Sequence, residues 1–183
     1  MRRRIFVLGL AVVLGAVAAS PIQGGYACVV PDHRPILATL DAVDLTVRVS
    51  EMPPGSRGSH FVTATIEQLT TGIFDAREIR DDPDALSELA LRIWTDWDER
   101  GDGDNGAPVA EPIAVLVSLE LKQTVHLAPE LGGAQAVAVT WSCRFFEAAS
   151  LKELDYTAIR MAEQMLEELS SGVVEARWHD PDA

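Results

Sequence analysis

The sequence has few aromatic residues, only two cysteines and none of the short motifs that identify common enzymes. Aromatic residues make up 6% of its 183 residues. It contains no G-x-S-x-G nucleophile elbow, no H-E-x-x-H zinc-binding helix, no phosphate-binding glycine loop and no dinucleotide-binding fingerprint. Its four histidines are widely separated, without the short spacings of a zinc site. The sequence therefore predicts no cofactor and no identifiable catalytic residue. It leaves enzymatic activity undecided and favours a protein that is not an enzyme.

The longest apolar run lies at the N-terminus and has the parts of a secretory signal peptide. Three arginines precede residues 5–17, a run of apolar and small residues. This run is too short to span a bilayer, which needs ~20 apolar residues. Ala19 suits a signal peptidase, and Pro21 ends any helix. We predict a signal peptide over residues 1–19, no transmembrane segment after its removal, and a periplasmic or secreted location.

The N-terminal segment is compatible with Sec export, twin-arginine export or lipoprotein export, and we favour Sec export. Arg3 and Arg4 loosely resemble a twin-arginine signal, but the Ser or Thr before the pair and the later Lys are missing. Cys28 is also a conceivable lipid-attachment site. It lies well beyond Pro21, however, whereas a lipidated cysteine follows the apolar run closely. The sequence therefore argues against a lipoprotein.

Basic residues are scarce in the rest of the chain. Without the three leader arginines, 15 Lys and Arg fall to 12 against 28 Asp and Glu, a net charge of −16. Such a charge repels phosphate backbones, so we predict no nucleic-acid partner. The hydrophobic fraction of 48% is enough for a core, and a mature chain of about 160 residues suits one domain.

The two cysteines, Cys28 and Cys143, are predicted to form a disulfide. An even number of cysteines in an oxidising compartment favours pairing. A disulfide between them closes a loop of more than 100 residues. In the entropic model this lowers the entropy of the unfolded chain and stabilises the fold by roughly 4 to 5 kcal/mol. Free thiols and a lipidated Cys28 remain the alternatives.

Periodicity in the first half of the mature chain predicts two strands and a helix. Apolar and polar residues alternate over 43–50, and again over 62–67, which predicts two strands joined across the Pro- and Gly-rich loop 52–59. Apolar residues then recur at three- and four-residue steps, which predicts a helix from about Pro83 to Glu99 with Asp82 as its N-cap.

The second half predicts a longer hairpin followed by a second helix. Alternating apolar residues over 113–122 and 137–145 flank a Gly-rich turn. Ser150 and Glu153 form a capping-box pattern ahead of an apolar helical stripe that ends near Gly172. A short strand is predicted over 173–178.

These elements predict an α+β fold in ββαββα order. The simplest packing is a two-layer sandwich, in which two helices cover one face of an antiparallel sheet of about four strands. The predicted organisation is an extended N-terminal segment over 20–40, a single α+β domain over 41–178 and a loose C-terminal tail over 179–183.

Two sets of residues are candidates for ligand or partner binding. A Gly-rich acidic loop is a weak calcium candidate, because calcium prefers hard oxygen ligands. The ligands in this loop would be Asp98, Asp102, Asp104 and Asn105. The loop fails the EF-hand template, however, and is more simply a solvated turn. Trp94 and Trp97 are predicted to lie in the core or at its edge, with one of them facing outward as the alternative. Arg57 belongs to the same set of binding candidates as the tryptophans, because it is a basic loop residue in an acidic protein.

The sequence supports two classes of function. The first is an exported cell-envelope accessory or binding protein without catalytic activity, which holds a partner protein or an apolar small molecule on a sheet edge or face. The second is a small secreted or periplasmic hydrolase whose site is assembled only in the fold. A buried His or Cys beside a carboxylate would favour the second class, and a flat face would favour the first.

Overall fold

The computed structural model describes residues 25–29, 37–97, 112–126 and 134–179. These residues form six strands and two long helices. In chain order the elements are β1 (Gly25–Val29), β2 (Ala42–Val49), α1 (Ser59–Asp75), β3 (Arg80–Asp81), β4 (Glu88–Asp96), β5 (Ile113–His126), β6 (Gln135–Ala149) and α2 (Leu154–His179). The predicted signal peptide and residues 180–183 of the predicted tail lie outside the described residues.

The strands form one mixed sheet in the order β1-β6-β5-β4-β2-β3. The β1–β6, β6–β5 and β5–β4 pairs are antiparallel, whereas β2 is parallel to both β4 and β3. The predictions of an α+β fold, of two helices and of a β5–β6 hairpin are confirmed. The prediction of about four antiparallel strands is wrong, because α1 separates β2 from β4 along the chain and lets these two strands run in the same direction.

The segment predicted as the second strand is helix α1. Its buried residues are Val62, Ile66, Thr70 and Phe74, which are spaced four residues apart. Val62 and Ile66 satisfy a two-residue period as well as a four-residue period, so the short stretch 62–67 was ambiguous. The intervening Ala64 is exposed, as a helical period requires. The predicted hairpin between residues 43–50 and 62–67 is therefore wrong.

The segment predicted as the first helix is strand β4. Leu89 and Ile93 fit a helical step, but Leu91 between them is equally buried, which completes a two-residue alternation. Asp82 does not cap a helix. Its carboxylate accepts a hydrogen bond from the Asp84 N–H at 3.0 Å, which stabilises a turn before β4.

Helix α2 is longer than predicted. The Ser150 hydroxyl hydrogen-bonds the Glu153 carboxylate at 3.0 Å just before the helix begins. The helix passes through Gly172 and ends at His179, because buried Val173 and Ala176 continue its apolar stripe. The predicted helix end at Gly172 and the predicted strand over 173–178 are both wrong.

One face of the sheet forms a continuous core with the helices. Cross-strand partners share a face, and the central row of this core face is Val47, Leu91, Leu119, Cys143 and Cys28. The buried side chains of both helices belong to the same hydrophobic cluster as these strands. The helices contact each other, α1 contacts β2, and α2 contacts β5 and β6.

Two glycines of the α1 region are expected to respond in opposite ways to alanine. Gly72 lies within α1, and no atom lies within 4 Å of an added Cβ, so Gly72→Ala should raise the free energy of unfolding by about 0.5–1 kcal/mol. Gly58, just before α1, has φ of +89°, so Gly58→Ala should be destabilising. Urea denaturation of the two variants measures both changes. An unchanged or lowered free energy of unfolding for Gly72→Ala would contradict a helical conformation at this residue.

Candidate functional site

The candidate site lies on the opposite face of the sheet from the core face. Side chains alternate between the two faces along each strand. The residues that follow buried core residues in β4, β5 and β6 therefore point away from the helices. Two neighbouring rows of this opposite face carry large or charged side chains at the centre of the sheet.

The first row consists of the large apolar side chains of Trp94, Leu116 and Phe146. These residues are cross-strand partners on β4, β5 and β6. Trp94 is 42% exposed, and Leu116 and Phe146 are partly buried. Gly25 of β1 is the partner of Phe146 and adds no side chain to the row. The three side chains form an apolar row across the middle of the sheet.

The second row consists of arginines. Arg48 of β2 is the partner of Arg92 of β4, which is followed by Ser118 of β5 and Arg144 of β6. Ser118 is only 4% exposed. Glu120 lies one row further and approaches Arg92 at 3.8 Å and Arg144 at 3.9 Å. With three arginines and one glutamate, this patch is cationic in an otherwise acidic protein.

An open pocket of about 370 Å³ lies where the two rows meet at the β2–β4 side. Arg48, Arg92 and Trp94 line it, together with Ser50 and the neighbouring strand residues. The Ser50 hydroxyl accepts a hydrogen bond from the Thr95 N–H at 3.0 Å, which joins the ends of β2 and β4. Two guanidinium groups beside an indole can bind a carboxylate and pack against an apolar group.

The structure separates the two tryptophans that the sequence grouped together. Because β4 is a strand, residues three apart point to opposite faces. Trp94 lies on the opposite face, whereas Trp97 packs against the hydrophobic core. The Trp97 indole N–H donates a hydrogen bond to the Glu51 carbonyl oxygen at 3.2 Å.

Arg57 does not join Trp94 in the pocket. It lies just before α1, and its guanidinium stacks over the Phe61 ring at 4.7 Å from the ring centre. Its backbone N–H donates to the Asp155 carboxylate at 2.8 Å, which ties the loop to the beginning of α2. In the structure Arg57 therefore attaches this loop to α2.

The predicted disulfide between Cys28 and Cys143 is confirmed. The two residues are directly opposite each other in the β1–β6 pair. Neither sulfur is therefore a free thiol. The disulfide attaches β1, which is one of the two edge strands of the described sheet, to β6.

The remaining candidate sites are the acidic loop and the histidines. The calcium candidates Asp98, Asp102, Asp104 and Asn105 lie outside the described residues. Within the described part of the chain, no group of three or more His, Cys, Asp or Glu residues is placed to hold a metal ion. His60 and His179 are exposed. Among the residues that the structure describes, no helix is long and apolar enough to cross a membrane.

A second concave surface lies between the two helices. This groove of about 760 Å³ is lined by residues of both helices, among them Leu69, Gly72, Ile73, Glu167 and Ser170. It is open to solvent, and small residues rather than convergent charges make the space. It carries no described cluster of groups that would select a ligand.

The sequence interpretation missed the arginine row. Arg48 was correctly placed on the polar side of a strand, but Arg92 was assigned to a helix. A strand over β4 would have put Arg92 and Trp94 on the same face at a two-residue step. The signal was therefore present, although the pairing of β2 with β4 could not be known from periodicity.

No protein-family model matches the sequence, and no curated protein matches it. Among solved structures, the chain is similar to a PelC dodecamer from Paraburkholderia phytofirmans, at 15% identity and a TM-score of 0.45. A single-substitution form of the same dodecamer gives 16% identity and the same TM-score. Each match covers 81% of this chain and 98% of the PelC chain. A likeness of this size assigns neither a family nor a function to the chain.

Proposed function

We propose that this chain is an exported, non-catalytic binding protein of the cell envelope that holds a partner protein on the opposite face of its sheet. In this proposal the helices form one layer and the sheet forms the other, so that the opposite face is available to the partner. The observation that carries the proposal is the apolar row of Trp94, Leu116 and Phe146.

The composition of this face supports a protein partner rather than a buried small molecule. Tryptophan and arginine are enriched among the residues that dominate binding energy at protein interfaces, and aromatic residues are enriched at interface cores. Trp94 is 42% exposed in this row, whereas a site for a small apolar ligand encloses most of the ligand surface. The adjoining arginines supply charged groups around the apolar row, which fixes the orientation of a partner.

The proposed location rests on the disulfide and the leader. A disulfide persists in the periplasm and outside the cell, and it is rare where thiols are kept reduced. We propose Sec export as the route, since the leader has the three parts of a Sec signal peptide. Mass spectrometry of the exported protein under non-reducing conditions would report the cleavage position and the state of both cysteines together. A mature chain that begins near residue 20 with an intact disulfide is expected.

Substitution of Trp94 tests the binding face. Trp94→Ala should weaken binding of the envelope partner by roughly 30-fold, the effect of losing an interface hot-spot residue. Leu86→Ala is the matched control, because Leu86 is 87% exposed and precedes β4. The immobilised mature protein is incubated with an envelope extract of the source organism, and the affinity of the retained protein is then measured.

Two outcomes would contradict the proposed function. Either the wild-type protein retains nothing above a denatured control, or the Trp94→Ala variant retains the same partner with unchanged affinity. Thermal denaturation of each variant checks that loss of binding does not come from unfolding. Because Trp94 is substantially exposed, its removal leaves no closed cavity in the core.

A further inference from the structure

Among the strands that the structure describes, none pairs with the outer edge of β2 over most of its length. On that side β3 pairs only with Ala42 and Val43. β2 continues to Val49, and no other described strand lies beside it there. An unpaired edge presents backbone N–H and C=O groups on which a further strand can assemble.

The direction of the backbone groups can be read from the hydrogen bonds at both ends of β2. The N–H groups of Asp44 and Ser50 donate to carbonyls on the β4 side, at 2.8 and 2.9 Å. Successive N–H groups of a strand alternate in direction, so those of Val47 and Val49 point away from β4. Among the described residues, none accepts a hydrogen bond from these two amides. The edge therefore offers two outward donors on either side of Arg48.

Arg48 places a positive charge at this edge. Its side chain is exposed on the opposite face and forms no ion pair with any described residue. Arg92 lies beside it on β4 and is only weakly engaged by Glu120 at 3.8 Å. Arg48 and Arg92 both line the 370 Å³ pocket with Trp94. The unpaired edge and a cationic pocket therefore adjoin each other.

We propose that β2 and the pocket bind an extended, acidic segment of the partner polypeptide. This inference rests on the proposed function and names the part of the partner that is recognised. The segment adds a strand to β2 through the outward amides of Val47 and Val49, as in β-strand addition. A carboxylate of the segment enters the pocket between Arg48 and Arg92, and an apolar portion packs on Trp94. Charge-assisted hydrogen bonds to the carboxylate select an acidic segment over a neutral one.

Charge also distinguishes this partner from a second copy of the chain. Arg48 lies near the centre of the exposed part of the edge, so symmetric pairing of two β2 edges would bring two like charges close together, which is destabilising. An acidic segment, by contrast, meets the cationic pocket.

A charged side chain on an edge strand has a second possible role, which is to prevent unwanted strand pairing. The two roles give opposite results with an acidic peptide. If Arg48 binds a carboxylate, Arg48→Gln weakens peptide binding. If Arg48 only protects the edge, the acidic peptide does not bind the wild-type protein, and Arg48→Gln promotes self-association without creating peptide binding.

The experiment uses the mature full chain and a capped octapeptide that alternates Glu and Thr. The octapeptide should bind, and the version with Gln in place of Glu should bind at least tenfold more weakly. Arg48→Gln and Arg92→Gln should each weaken binding of the acidic peptide by about tenfold, the effect of one charge-assisted hydrogen bond. Arg77→Gln, an exposed arginine after α1, is the matched control and should change nothing. Hydrogen exchange should slow at the Val47 and Val49 amides when the peptide binds.

Three results would overturn the inference: equal binding of the Glu and Gln peptides, binding of free glutamate as tight as that of the peptide, or binding without protection of Val47 and Val49.

Failure of this inference is distinguishable from failure of the proposed function. If the octapeptide does not bind but Trp94→Ala still loses the envelope partner, the inference is wrong and the proposed function stands. If the octapeptide binds as expected but no envelope partner is retained, the proposed function is wrong.

Discussion

Removal of the disulfide by Cys28→Ser with Cys143→Ser should lower the free energy of unfolding by about 2–5 kcal/mol. The bridge closes a loop of 115 residues and therefore restricts the unfolded chain strongly. It also acts locally, because β6 is the one described strand that pairs with β1. Without the bridge, this five-residue edge strand is held by its backbone hydrogen bonds and side-chain contacts alone.

Urea denaturation under non-reducing conditions measures this loss. Treatment of the wild-type protein with a thiol reductant should reproduce it, and the same reductant should not affect the double variant. An unchanged denaturation midpoint after verified reduction would contradict the prediction. Hydrogen exchange would show whether β1 detaches from β6 before the rest of the sheet unfolds.

Truncation of Leu119 should have an effect of similar size. Leu119 is fully buried in β5 on the core face, between its cross-strand partners Leu91 and Cys143. Leu119→Ala should lower the free energy of unfolding by about 2–5 kcal/mol, because it removes buried apolar surface and leaves a cavity. Urea denaturation is again the measurement, and an unchanged denaturant slope would show that the unfolded state is not altered.

Thr124→Ala is the control for Leu119→Ala because Thr124 lies exposed on the same strand. Its effect should stay within about 1 kcal/mol, the span of strand propensities. The pair tests the register of β5. A one-residue slip would move Leu119 to the opposite face, so a small effect of Leu119→Ala would contradict the assigned register.

The strands of the second hairpin were predictable because their alternation is long. Alternation persists over 113–122 and again over 137–145, on both sides of a turn, and the structure places β5 and β6 over these two segments. The shorter segments were ambiguous. In α1, Val62 and Ile66 fit both periods, and in β4, Leu89 and Ile93 do the same. The sequence therefore predicted a strand where α1 lies and a helix where β4 lies, although it located both segments.

The candidate site was only partly predictable for the same reason. Trp94 was identified as a candidate, but its helical assignment grouped it with Trp97 on a single stripe. In the strand, these residues lie on opposite faces, and Trp94 instead adjoins Arg48 and Arg92. Arg48 and Arg92 are 44 residues apart in sequence, and they meet because β2 and β4 pair in parallel. Local periodicity contains no information on such long-range pairing.

The apolar content, the acidic charge, the leader and the number of cysteines are properties of the sequence itself, because they depend on composition and local order. Together with local periodicity they predicted an exported α+β protein with a disulfide, of which the structure confirms the α+β fold and the disulfide. The order of the strands, the direction of β2 and the identity of the residues beside Trp94 depend on contacts between distant segments. The packing of both helices against one face of the sheet decides the strand order and the neighbours of Trp94. Local periodicity leaves helix and strand nearly equivalent in short segments, and this packing selects one of the two.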